Sequence, residues 1–67
     1  DADGLLFYRE LTALWTPKLK SGGLLAYEIG LGQEKEVRNI LEKHGYISVC
    51  EARDLCGIIR TVRGIKP

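Results

Sequence analysis

Glu28, Gly30 and Gln33 fall together where an apolar run, Leu24 to Ile29, gives way to glycine. The chemistry open to them is contact with a substrate. Ligands of open α/β sheets bind beyond the carboxyl ends of the strands, and Glu28 falls at such an end. The three residues are therefore the candidate rim of a substrate crevice. The plainer reading makes Glu28 a solvated strand end and Gln33 the cap of the next helix, and on the sequence alone it carries more weight. Gly30-x-Gly32 follows a strand and precedes a helix, but it lacks the third glycine of a nucleotide or methyl-donor loop. No catalytic residue, cofactor-binding residue or metal ligand is assigned.

Other groups capable of chemistry have simpler explanations. His44 lies in the last turn of a helix before Gly45, where the dipole favours a partly charged imidazole, and no Cys, Ser or Asp arrangement is tied to it. Cys50 and Cys56 match no zinc or redox spacing and are expected to be reduced, as in a cytoplasmic protein. Arg53, Arg60, Arg63 and Lys66 give the last segments a basic character, diluted by Glu51 and Asp54, so a solvated face is expected. Tyr8 and Trp15 share helical spacing with Leu11 and Leu14 and read as core rather than as a stacking platform.

The elements that position these residues are legible. Leu5, Tyr8, Leu11, Leu14 and Trp15 mark one face of a first helix, with Asp3 as its cap and Thr12 outside that face. Pro17 ends it near Thr16, Lys18 to Lys20 allow one further turn, and Gly22 or Gly23 supplies the left-handed stop. Leu24 to Ile29 reads as a strand covered on both faces. Gln33 to His44 is an amphipathic helix with Val37, Ile40 and Leu41 inward and Gly45 as its stop. Tyr46 to Arg53 and Ile58 to Arg63 form an antiparallel hairpin around Asp54 to Gly57, with Ile65 to Pro67 as a tail. The first two strands, joined by a helix, are expected to be parallel. The third lies between them or outside. The fold class is therefore α/β, a three-stranded mixed sheet with two helices on one face.

Composition limits the rest. Sixty-seven residues make one domain at most, and the hydrophobic content of 45% argues against disorder. A net charge of +1 favours neither nucleic acid nor an anionic membrane. No apolar run approaches the ~18 residues that span a bilayer. The acidic start Asp1-Ala2-Asp3 is not a signal peptide, and the lack of any Met is what a piece of a longer chain would show.

Four local patterns in one register resemble the HemK/PrmC family of protein-(glutamine-N5) methyltransferases, which have the class I, Rossmann-like methyltransferase fold. Asp3-Gly4-Leu5 with Tyr8-Arg9 resembles the family's Asp-Gly-Leu-x-x-Tyr-Arg stretch. Lys20-Ser21-Gly22-Gly23 resembles its Pro-Gly-Gly lead into the fifth strand. Glu28-Ile29-Gly30-x-x-Gln33 followed by Val37 resembles its Glu-x-Gly-x-x-Gln segment. Arg53-Asp54-Leu55 with Gly57, Arg60, Val62 and Gly64 resembles its final hairpin. Asp1-Ala2, Ser21 and Ile59 depart from the family's usual Gly-Gly, Pro and Asp.

The resemblance implies a C-terminal segment, a single incomplete domain over residues 1–67, whose three strands would be the fifth, seventh and sixth of the class I sheet. It implies a parent that moves a methyl group from S-adenosylmethionine to a glutamine side chain of a peptide chain release factor. The family's Gly-rich cofactor loop and Asn-Pro-Pro-Tyr motif are not in this chain. The segment alone is therefore expected to bind no cofactor and to be inactive, in the cytoplasm, without membrane or direct nucleic-acid contacts. In the parent a fourth strand would pair with the outer edge of Leu24–Ile29, and without it that bare edge invites self-association. The rival expectation is a self-standing α/β module binding RNA or a protein.

Overall fold

The computed structural model describes residues 4–67. Helix α1 (Leu6–Trp15) leads through a 3-10 turn (Thr16–Lys18) to strand β1 (Leu24–Glu28). Helix α2 (Glu34–Lys43) follows, then strands β2 (Ile47–Arg53) and β3 (Ile59–Ile65). The expected cap Asp3 lies outside the described residues.

Helix α2 forms as its sequence dictates. Glu34 and Glu36 occupy its first turn and Lys43 its last, which suits the macrodipole. It ends in a Schellman arrangement: Gly45, at φ +88, and Tyr46 donate their N–H groups to the carbonyls of Glu42 and Leu41. That stop aims Tyr46 back into the core beside Leu41.

The sheet order is β1-β3-β2, and both ladders are antiparallel. This corrects the expected mixed sheet. β1 and β2 point the same way, since each opposes β3, but β3 separates them and no parallel pair is hydrogen-bonded among the described residues. β3 also runs two residues past its expected end at Arg63. The expected tail is tied down, because Gly22 N–H donates to the Lys66 carbonyl and Lys66 N–H to the Gly23 carbonyl.

Both helices pack on one face, where Tyr27, Val62, Val37, Ile40, Leu41 and Tyr46 form the core with Leu5 and Ile29. Among the described residues β1 is consequently covered on one face and not on both. Tyr27 is buried while Leu24 is 57% exposed. Leu24, Ile65 and Ile47 stand opposite one another on the uncovered face, across the three strands. A bulge between Ile47 and Cys50 contains Ser48 at φ +53, the one non-glycine residue with positive φ among the described residues.

Helix α1 presents a different face from the one its apolar residues mark. Thr12 is fully buried, while Leu14 and Trp15 are about half exposed. The inward stripe is Leu5, Tyr8 and Thr12, at helical spacing, and the Thr12 hydroxyl is accommodated because it is hydrogen-bonded. Trp15 instead lies under the Lys18 ammonium, 5.5 Å from its ring centre.

Candidate functional site

The fold brings Glu28, Gly30 and Gln33 together at the carboxyl end of β1. Gly30 to Gln33 form a tight turn: Gln33 N–H donates to the Gly30 carbonyl at 3.2 Å, and Gly32 takes φ +83, as the third position of a type II turn requires. Gln33 occupies the cap position of α2, but its side chain makes no cap bond. The carboxamide turns back. Its Oε1 accepts from the Gly30 N–H at 3.0 Å and from the Tyr8 hydroxyl at 3.4 Å. The same hydroxyl donates to the Glu28 carbonyl at 3.2 Å, so its single hydrogen is shared between the two acceptors, with the carbonyl the nearer. The side chain of Glu28 is exposed.

Glycine packs closely on both sides of that carboxamide. A Cβ on Gly30 would stand 3.0 Å from Gln33 Oε1, and one on Gly4 would stand 3.1 Å from Nε2. The close approach that Gly30 permits is thus used by the chain's own glutamine. Leu31, at the tip, is 77% exposed.

A polar seam continues from Tyr8 into the helix–sheet interface. Thr12 Oγ1 donates to the Tyr8 carbonyl at 2.6 Å and so accepts from the Tyr27 hydroxyl, also at 2.6 Å. Burial pushes the Tyr27 phenol up from 10.0. Thr16 Oγ1 and the Tyr46 hydroxyl lie 3.0 Å apart, and the Lys66 ammonium donates to the Thr16 carbonyl. Among the described residues no buried side-chain polar atom is left without a partner. Sequence reasoning missed this seam. The signal was present: Thr12 falls seven residues after Leu5 on the same helical stripe, and its polarity alone argued against burial.

The second loop at this end of the sheet joins β2 to β3, because Thr61 pairs with Glu28 and with Ala52. Asp54 organises it. Its Oδ1 accepts from the N–H groups of Cys56 and Ile58, at 2.8 and 3.0 Å, and its Oδ2 from Arg60 Nε at 3.1 Å. The backbone donor of Ile58 and then the Arg60 guanidinium hold the Asp54 carboxyl below 3.8. Arg53 donates to the Gly57 carbonyl at 2.8 Å. Two of the basic side chains therefore build the turn. Arg63 Nε donates to Cys50 Sγ at 3.1 Å on the open face. Cys50 and Cys56 are both free.

His44 is the C-cap residue of α2. It lines, with Leu5, Arg9, Glu36, Asn39, Ile40 and Lys43, a cleft of about 240 Å³ between the helices. None of Glu28, Gly30 and Gln33 reaches that cleft. Among the described residues no group of His, Cys, Asp and Glu could hold a metal. No helix among them is long and apolar enough to cross a membrane.

Among proteins of known sequence, the chain is 44% identical over 64 residues to the release factor glutamine methyltransferase of Clostridium acetobutylicum, covering 96% of this chain and 22% of that protein. It is 41% identical over 64 residues to the one of Caulobacter vibrioides, covering 96% and 22%. With that of Fusobacterium nucleatum it shares 38% over 60 residues, covering 90% and 17%. The chain thus spans about a fifth of the length of the curated relatives it matches. No family model matches it. No solved structure matches it at a significant level.

Proposed function

Since the chain belongs, as a C-terminal segment, to the HemK/PrmC family of protein-(glutamine-N5) methyltransferases, we propose that it completes the sheet and one wall of the substrate crevice of such an enzyme. The observation that carries this reading is the strand order β1-β3-β2, with β3 central and antiparallel to both neighbours. That is the order in which the fifth, seventh and sixth strands end a class I methyltransferase sheet. A connection of this kind leaves the carboxyl ends of β1 and β2, and with them both pinned loops, on one edge. Ligands of α/β sheets bind along such an edge.

In this reading Glu28, Gly30 and Gln33 are crevice rim. The free outer edge of β1 takes a fourth strand from the rest of the parent. The intact protein moves a methyl group from S-adenosylmethionine to a glutamine side-chain amide of a peptide chain release factor, in the cytoplasm. Cofactor binding and amide positioning belong to segments outside these residues, so the 67-residue chain alone is not catalytic. Positioning the amide against the methyl donor is mainly a matter of proximity and orientation, which needs the whole crevice.

The coding sequence upstream of Asp1 tests the reading. An open frame carrying a Gly-rich loop and then Asn-Pro-Pro-Tyr is expected. A start codon directly before Asp1, or methylation by the purified 67-residue chain, would overturn it.

A further inference from the structure

The Gln33 carboxamide joins parts of the chain that are far apart in sequence. Its oxygen accepts from Gly30 N–H and from Tyr8 Oη, and its nitrogen lies against Gly4. A carbonyl oxygen has two lone pairs: one takes the Gly30 N–H, and the other takes a share of the Tyr8 hydrogen, which the Glu28 carbonyl also accepts. The turn it closes carries Leu31, 77% exposed, at the end of the sheet where the crevice is proposed. Nothing else the structure shows in this turn holds the Gly30 N–H in place.

We propose that Gln33 is a positioning residue: clasped to Tyr8 and Gly30, it fixes the Gly30–Gly32 turn so that the turn's outer surface, with Leu31 at its tip, meets the protein substrate. Gln33 acts through that turn and does not itself contact the reacting atoms. The geometry explains why the two glycines and the tyrosine accompany this glutamine. A Cβ on Gly30 would push the carboxamide aside, Gly4 holds φ +69, and Tyr8 is a donor. This inference rests on the proposed methyltransferase reading and assigns one residue a role within it.

The test uses the full-length protein carrying this segment, with release factor as substrate. Gln33→Ala removes both acceptances while the backbone bond from residue 33 to the Gly30 carbonyl remains, and it is expected to raise KM for release factor about five-fold, the loss expected when one full and one shared neutral hydrogen bond are removed. KM for S-adenosylmethionine and kcat should stay within about two-fold, since only the substrate-facing turn is loosened. Gln33→Glu keeps an acceptor oxygen and should restore most of the KM. Tyr8→Phe removes one donor and should give an intermediate value.

Hydrogen exchange over residues 30–33, followed by mass spectrometry, should show faster exchange in Gln33→Ala and a smaller increase in Tyr8→Phe. Unchanged exchange would overturn the clasp. Faster exchange with an unchanged KM would overturn the positioning role and leave Gln33 a structural residue. A wild-type protein that transfers no methyl group would overturn the functional reading and with it the substrate half of the proposal, while the exchange result still judges the clasp.

Discussion

Thr12 and Tyr27 offer a sharp test of how the helix–sheet interface is held. Thr12 is fully buried, and its hydroxyl hydrogen is committed to the Tyr8 carbonyl, so the Tyr27 hydroxyl must donate to it. The two partners are therefore unequal. Thr12→Val keeps the side-chain shape but strands a buried phenol donor, which should cost about 1–3 kcal/mol. Tyr27→Phe leaves the Thr12 hydroxyl still donating to the backbone, and should cost about 0.5–1.5 kcal/mol. Removing both hydroxyls leaves no orphan, so the double variant should lose no more than Thr12→Val alone. A coupling at least as large as the Tyr27→Phe loss, about 0.5–1.5 kcal/mol, follows. For a domain of this size a loss of 1 kcal/mol lowers Tm by roughly 4–8 °C, well within reach of circular dichroism melts. Equal single losses that add to within about 0.3 kcal/mol would refute the donor assignment and the buried seam with it.

Further outcomes follow from other sites. Gly64→Ala would place a methyl group 3.0 Å from Tyr46 Cβ and 3.3 Å from Val49 Cγ2, and urea unfolding should show about 1–3 kcal/mol of destabilisation from overpacking. Ser48→Gly should be neutral or stabilising, by up to ~1 kcal/mol, because Ser48 holds φ +53 in the bulge; a clear loss of Tm would show that its side chain matters more than its backbone. Asp54 has a folded-state pKa below its unfolded value of 3.8. Its contribution is thus fully present above that value and is lost as pH falls through the lower folded pKa. A carbon-detected NMR titration should place the Asp54 midpoint below the ordinary carboxylate range, and Asp54→Ala should loosen the turn at neutral pH. Leu24→Lys and Ile47→Lys, on the uncovered sheet face, should reduce self-association of the 67-residue chain in sedimentation at high concentration, and a strict wild-type monomer would contradict the exposed face and edge as a liability.

Much of the chain's local structure is legible because local rules and tertiary packing agree there. Helix α2 has acidic and basic ends, a single apolar stripe and Gly45 where a left-handed residue is needed, and its expected and observed limits differ only at the ends. The hairpin is legible for the same reason, with turn residues between two β-branched runs. Helix α1 is harder. Leu6, Phe7, Leu14 and Trp15 supply more apolar surface than this segment covers, so apolar spacing alone could not say which stripe turns inward. Burial went to Thr12 because a tyrosine on the facing strand completes its hydrogen bonds.

β1 shows a related ambiguity. A continuous apolar run signals two covered faces, and the described residues cover one, which leaves Leu24 outward. The sheet's ladders depended on which strand lay in the middle, a choice that connection lengths leave open. At the candidate rim, the types and order of Glu28, Gly30 and Gln33 are plain in the sequence. The reach of Tyr8 across to Gln33 is not, because it depends on how α1 is set against the end of β1.

The most direct measurement is methyl transfer by the full-length protein that carries this segment. Purified protein would be incubated with labelled S-adenosylmethionine and a peptide chain release factor, and the modified peptide sequenced by tandem mass spectrometry. One methyl group on a glutamine side-chain amide is the expected result. Transfer to another residue type, or none to release factor while the protein is folded and binds the methyl donor, would contradict it.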